Sequence, residues 1–276
     1  MTDTTLRKLP PMSALEFAIS NVFRHFFFGL RMAILWAILL SPLMFLVWYA
    51  AFREGPPDFN ALKPEAMAAL AALGVGVVLA TISVAVNWHR RIVLGETPRR
   101  LGWVRLDGVV WRYLFGFIFV LAVLAIMAGA AAAAVLMLPA VLEPKVGAAA
   151  KPIGIALAVL LSLSALFTWY RLSTWLPAIA TRDENYSLKT AWRITRKNRR
   201  AFLSFTFWLL FSLAIAGAIG AGAFFGQQML ANPYATAAFF GLAGLLGWMA
   251  LFLVTTVATS HYCYFADRET FPKTDG

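Results

Sequence analysis

The side chains that could do acid–base or metal chemistry are few and poorly spaced for it. Three histidines, His25, His89 and His261, lie far apart, and no His-x-x-x-His or Glu-x-x-His spacing gives any of them a second ligand. A nucleophile needs a base beside it, and a hydrolytic pair needs two carboxylates facing one bond. Glu96, Asp107, Asp183 and Glu184 instead stand in polar segments with no partner histidine nearby. Ser41, Ser83, Ser162 and Ser164 fall inside apolar runs, where a serine hydroxyl bonds its own helix backbone. The single cysteine, Cys263, can make neither an intramolecular disulfide nor a metal site alone. The expectation is no catalytic residue, no metal and no cofactor.

What remains is arginine. A guanidinium fork matches the oxygens of a phosphate, and basic residues gathered at the ends of apolar helices are the expected form of an anionic-lipid site. His89, Arg90, Arg171, Arg193, Arg196 and Arg200 are the candidate contacts, with Arg90 and Arg171 placed to hold a lipid phosphate between the second and fourth apolar runs. The plainer alternative is that these side chains snorkel to the headgroups and only orient the chain. Charge pattern alone does not separate the two. No ionisable residue falls near the middle of an apolar run, where a transport path or proton relay would show one.

The elements that must position these residues follow from composition. The 276 residues are 61% hydrophobic and 13% charged, and the mean hydropathy is +0.74, more apolar surface than a soluble domain of this length could bury. In a soluble protein the net charge of +11 would raise nucleic acid as a partner. Here the charges lie between apolar runs, so they report on orientation and no nucleic acid is expected.

The pattern predicts an all-α, polytopic membrane protein in one integral domain, with six transmembrane helices and two short amphipathic helices at the interface. Ser13-Ala-Leu-Glu16 has the form of a capping box, with Met12 and Phe17 as its staple. It opens an interfacial helix over 13–25 whose Leu15, Ala18, Ile19, Val22 and Phe26 share a stripe opposite Glu16, Ser20 and Arg24. Arg7 and Lys8 ahead of it suit a retained signal anchor. Spans are expected over 26–52, with a kink at Ser41-Pro42, and over 66–88, 111–138 and 152–175. Ser187 caps a second interfacial helix over 187–200. Spans over 202–226 and 235–262 and a frayed tail over 267–276 complete the chain. The alanine patch Ala128 to Ala134, the row Ala214, Ala218, Gly222 and Gly226, and Gly241, Gly244 and Gly247 suit close helix packing.

Six spans put both ends on one side. Of 24 Lys and Arg residues, only Arg53, Lys63, Lys145 and Lys151 face the other, which places both termini in the cytoplasm. Trp88-His89-Arg90, Trp169-Tyr170-Arg171 and His261-Tyr262-Cys-Tyr264 each end an even-numbered span. Ser13-Ala-Leu-x-x-Ala18 is echoed by Tyr186-Ser-Leu-x-x-Ala191. This suggests a threefold repeat of a helical hairpin about an axis along the membrane normal. Against it stands the simpler view that any bacterial hairpin ends in aromatics and arginines.

Leu94-Gly-Glu-x-Pro98 after Trp88-His89-Arg90, Arg171-Leu-Ser-x-x-Leu-Pro-Ala178, and Ser187-Leu-x-x-Ala-Trp-Arg-x-Thr-Arg-x-Asn198 add a resemblance. Over nearly its whole length the chain resembles a broad group of six-helix bacterial inner-membrane proteins, similar to the membrane domain found beside some glycerophosphodiester phosphodiesterases. The resemblance implies a membrane protein tied to lipids or envelope maintenance. These 276 residues hold no soluble catalytic domain, so phosphodiesterase activity does not carry over. The expected role is non-enzymatic: membrane or lipid homeostasis, or an accessory to a membrane complex, with membrane lipids, an anionic phospholipid among them, and a membrane-protein partner as the expected contacts. The alternative is a carrier for a small or amphiphilic molecule, whose cavity would draw on Ser41, Thr81, Ser83, Asn87, Ser162, Ser164 and Thr168.

Overall fold

A computed structural model describes residues 8–52, 62–98, 100–207, 210, 214, 217 and 233–268. Every regular element among them is helical. The first, α1 (Pro11–Arg24), begins two residues before the expected Ser13, because Pro11 at the first helical position has its φ already set and no amide to leave unbonded. Ser13 therefore lies inside the helix, no side chain caps it, and Met12 is 59% exposed rather than stapled. Ala14, Leu15, Phe17, Ala18 and Val22 are buried, while Glu16, Ser20 and Arg24 face out as expected and Ile19 joins them.

After a break at His25, α2 (Phe26–Val47) runs through Pro42 and ends in a π-helical turn, Trp48–Phe52. Together they cover the expected first span, and the Ser41 hydroxyl donates to the Ile38 carbonyl at 2.7 Å. The second long helix, α3 (Pro64–Leu94), corrects the expected end at residue 88. It stops at Gly95, whose φ of 67° closes the helix in the left-handed conformation that glycine alone adopts freely. Trp88-His89-Arg90 is thus a stretch of continuous helix, with Trp88 and His89 wholly buried.

Asp107 caps α4 (Gly108–Leu136), its carboxylate accepting from the amides of Val109 and Val110 at 3.1 and 3.4 Å. That cap starts the helix three residues before the expected 111. The segment between the expected spans 111–138 and 152–175 holds a short helix, α5 (Leu138–Val146), and a 3-10 turn. α6 (Ala150–Ser173) then returns antiparallel to α4. A Cβ built on Gly154 would lie 2.5 Å from the Ala134 carbonyl oxygen, so the close approach expected of the alanine patch occurs at its last residue; Ala128 to Ala133 carry little burial. Gly154→Ala should force the two helices apart at a cost of about 1–3 kcal/mol, read as a lower unfolding midpoint in detergent. A midpoint equal to wild type would mean that the contact is not tight.

α7 (Trp175–Thr181) extends α6 after Thr174, and α8 (Leu188–Ile194) follows a short loop. Ser187 caps α8 as expected, accepting from the Thr190 amide at 3.2 Å. The expected single helix over 187–200 does not form, because a turn at 195–197 interrupts it and a new helix, α9, begins at 199 and is described through 207. Beyond 207 only Leu210, Ala214 and Gly217 of the expected span 202–226 are described, all helical; Ala218, Gly222 and Gly226 lie outside the described residues, as do the side chains around Gly241, Gly244 and Gly247. α10 (Pro233–Phe265) covers the expected 235–262. Of the expected frayed tail only Asp267 and Arg268 are described, and Arg268 is anchored: its guanidinium donates to Asp183 at 2.6 Å.

Among the described residues three helical stretches are long and apolar enough to cross a membrane: Phe26–Ala50, Pro64–Leu94 and Gly108–Thr181. The third is long because it contains the α4–α6 hairpin. The outward faces carry large apolar side chains, Phe27 at 81% and Ile126 at 74% exposure among them, as expected where the solvent is lipid. The core gathers where α3 passes between α2 and α10. There Trp88 stacks on Phe252 with ring centres 4.3 Å apart. Gly29 makes room for both, since a Cβ at that position would come within 2.7 Å of Phe252 and 3.1 Å of Trp88.

Candidate functional site

Most of the polar side chains buried in this fold gather where α3, α6 and α10 meet the basic segments, and backbone chemistry explains how they are accommodated. On α10, Thr255, Thr256 and Thr259 each donate to the carbonyl four residues back, at 2.7, 2.6 and 2.9 Å. Each hydroxyl spends its one hydrogen there and keeps lone pairs free to accept. Trp88 Nε1 donates to Thr256 at 2.7 Å. His89 lies 2.7 Å from Thr259 through Nδ1 and 2.9 Å from the Tyr113 hydroxyl through Nε2. Since Thr259 can only accept, the proton sits on Nδ1, and Tyr113 donates to Nε2. The result is one directed chain, Tyr113 to His89 to Thr259 to the Thr255 carbonyl, joining α4, α3 and α10. His89 is a structural connector, wholly buried and bonded through both ring nitrogens, so it offers no surface for the lipid contact expected of it.

Arg90 is committed as well. It pairs with Glu96 and donates to the Ala180 carbonyl at 2.8 Å, which ties α3 to α7; Arg105 approaches the same carboxylate at 3.5 Å. Arg171 belongs to a different neighbourhood. Its guanidinium lies 3.7 Å over the Trp192 ring, donates to the Trp192 carbonyl at 2.8 Å and to the Thr195 hydroxyl at 3.4 Å. The structure gives the two arginines separate partners on separate elements rather than one shared phosphate site.

Around Arg171 a cleft of about 320 Å³ opens between α6 and the start of α9. Leu160, Leu163 and Phe167 form its apolar wall, and Arg171, Arg196 and Arg199 its basic end, with no carboxylate among the described residues of the lining. Arg196 and Arg199 stand close enough to act on the Arg171 charge. A second basic cleft of about 880 Å³ shares Arg196 and Arg199 and adds Lys8, Lys197 and Arg200. The Leu9 amide donates to Asn198 at 2.6 Å on its floor. Of the expected contacts, then, Arg171, Arg196 and Arg200 line these clefts, and Arg193 is exposed on α8.

Arg199, Lys197 and Lys8 belong to the same basic surface and were not singled out by their types. The break at 195–197 decides which way Lys197 and Arg199 face, and an unbroken helical periodicity over 187–200 hides it. His25 lies at the junction of α1 and α2, where its surroundings disfavour the charged imidazolium. Burial first, then the charges of Arg91 and Arg24, hold it below the usual histidine range.

Asp183 also has more structure than the sequence suggests. It accepts from the Tyr262 hydroxyl and from Arg268, both at 2.6 Å, and so fastens the end of α10 to the loop after α7. Among the described residues no group of three or more His, Cys, Asp or Glu side chains could hold a metal ion. No family model, curated protein or solved structure matches this chain.

Proposed function

We propose that the chain is a multi-pass protein of the bacterial cytoplasmic membrane, with six spans and both termini in the cytoplasm, that performs no chemistry. It serves membrane or lipid homeostasis, or a larger membrane complex, by holding an anionic phospholipid in the cleft between α6 and α9. The observation that carries this is the lining of that cleft: three arginines above an apolar wall, with no carboxylate among the described residues. Three like charges at one end repel one another until an anion joins them, and phosphate suits the guanidinium fork. Leu160, 61% exposed, and Leu163 offer the surface an acyl chain needs.

The hairpin repeat has support in the contacts that link successive units. His89 on α3 meets Tyr113 on α4, the Tyr170 hydroxyl on α6 and the Thr206 hydroxyl on α9 bond at 2.9 Å, and Ser260 on α10 donates to the Ala14 carbonyl on α1 at 3.0 Å. Each pairs the end of one hairpin with the start of the next, and the last returns to the first.

A carrier for a small or amphiphilic molecule is the second reading. It is favoured by His261, buried against Tyr170, Phe202 and Phe205 with neither ring nitrogen bonded, and by the unbonded Ser83 hydroxyl.

Native mass spectra of the purified protein in mild detergent, with phosphatidylglycerol added, test the first reading. Wild type should keep one or two lipids. Arg171→Ala and Arg196→Ala should each weaken binding about tenfold, as the loss of one charge-assisted contact implies. If neither substitution changes occupancy, the arginines only orient the chain.

A further inference from the structure

A separate cleft of about 770 Å³ lies between α4 and α7, and its lining carries both signs of charge. Phe115 and Phe119 on α4 face Trp175 and Ile179 on α7, and Gly116 lets the helices close on one another, since a Cβ there would meet the Ile179 side chain at 2.7 Å. Asp183 is occupied by Tyr262 and Arg268. The other charged groups of the lining, Arg112, Arg182 and Glu184, are exposed and make no ion pair among the described residues.

Arg182 is also held against its own backbone preference. It closes α7 at φ 57°, ψ 39°, with its amide bonded to the Ile179 carbonyl at 3.2 Å and the Asp183 amide to the Ala178 carbonyl at 2.9 Å. Glycine is the residue that fits this closing position without strain. Here an arginine occupies it, and its side chain lines the cleft.

We propose that this cleft binds a zwitterionic phospholipid, the phosphate between Arg112 and Arg182, the ammonium on Glu184 and an acyl chain along Phe115, Phe119 and Trp175. Opposite charges at one end of an apolar groove complement such a headgroup, whereas the arginine cleft beside α9 complements a net negative one. The inference rests on the chain being a membrane protein, and not on the arginine cleft.

The test is a native mass spectrometry titration in detergent with phosphatidylethanolamine and phosphatidylglycerol of the same acyl composition. Wild type should bind both. Arg182→Gly should weaken phosphatidylethanolamine binding about tenfold while the unfolding midpoint holds or rises, because glycine relieves the backbone. Glu184→Gln should abolish the preference for phosphatidylethanolamine at this site. Arg196→Ala should leave phosphatidylethanolamine unchanged and lower phosphatidylglycerol. Soluble glycerophosphoethanolamine at the same concentration should displace nothing; displacement would mean that the headgroup alone is recognised and would overturn the lipid assignment. Phosphatidylethanolamine binding that survives both Arg182→Gly and Glu184→Gln, or that is lost with Arg196→Ala, overturns the site. Wild type that binds phosphatidylethanolamine but no phosphatidylglycerol would count against the arginine cleft and leave this one standing.

Discussion

Trp88→Ala should destabilise the protein by about 3–5 kcal/mol, the range for emptying a fully enclosed aromatic site. Trp88 has no exposed surface, stacks on Phe252, and packs its ring against Phe28 with centroids 6.2 Å apart. It joins α3 to α2 and α10, so the cavity would open at the meeting of three helices. Trp88→Phe separates packing from hydrogen bonding. The phenyl ring refills most of the space, and Thr256 stays satisfied through the Phe252 carbonyl, so the cost should fall to about 1–2 kcal/mol. Unfolding midpoints in detergent across the pair check this. An alanine variant within 1 kcal/mol of wild type would mean that the tryptophan is not the centre of the packing.

The second large effect belongs to His89. Leucine fills a similar volume but accepts nothing, so His89→Leu should cost about 2 kcal/mol, most of it from one orphaned group. That group is the Tyr113 hydroxyl, which loses its acceptor; Thr259 keeps its bond to the Thr255 carbonyl. The directed chain makes a sharper claim about the pair. Tyr113→Phe alone should cost about 1 kcal/mol. Added to His89→Leu, it should restore stability, because the buried hydroxyl is then gone. A double mutant as unstable as the sum of the singles would show that the imidazole and phenol do not depend on each other.

Some local structure can be read without the fold. Ser187 is the residue type a helix start uses, and it caps α8. Glu16, Ser20 and Arg24 recur at helical spacing and face outward. Pro11 and Gly95 are equally local signals, one opening α1 and the other closing α3, but the serine at 13 and the charges after residue 88 compete with them for the same assignments. A glycine in the left-handed conformation stops a helix more decisively than a change in polarity does, because polarity constrains the surroundings and φ constrains the chain. Asp107 stands just ahead of an apolar run, but a span expected to begin at 111 leaves out the first turn that this carboxylate caps.

The site was less legible, and for a single reason. Arg90, Arg171 and Arg196 have the same chemistry in the sequence, whereas their partners come from distant parts of the chain: Ala180 for Arg90, Trp192 for Arg171, and, among the described residues, no carboxylate in the clefts lined by Arg196. Asp183 finds Arg268 and Tyr262 some eighty residues on. Composition and periodicity are sums over neighbours along the chain, and they were enough to specify helices and apolar runs long enough to cross a membrane. Which arginine is neutralised, which histidine is a connector, and where uncompensated charge meets an apolar groove depend on pairings across the fold. Burial makes those pairings obligatory, since a polar group without a partner costs more inside than the pattern of its neighbours can offset.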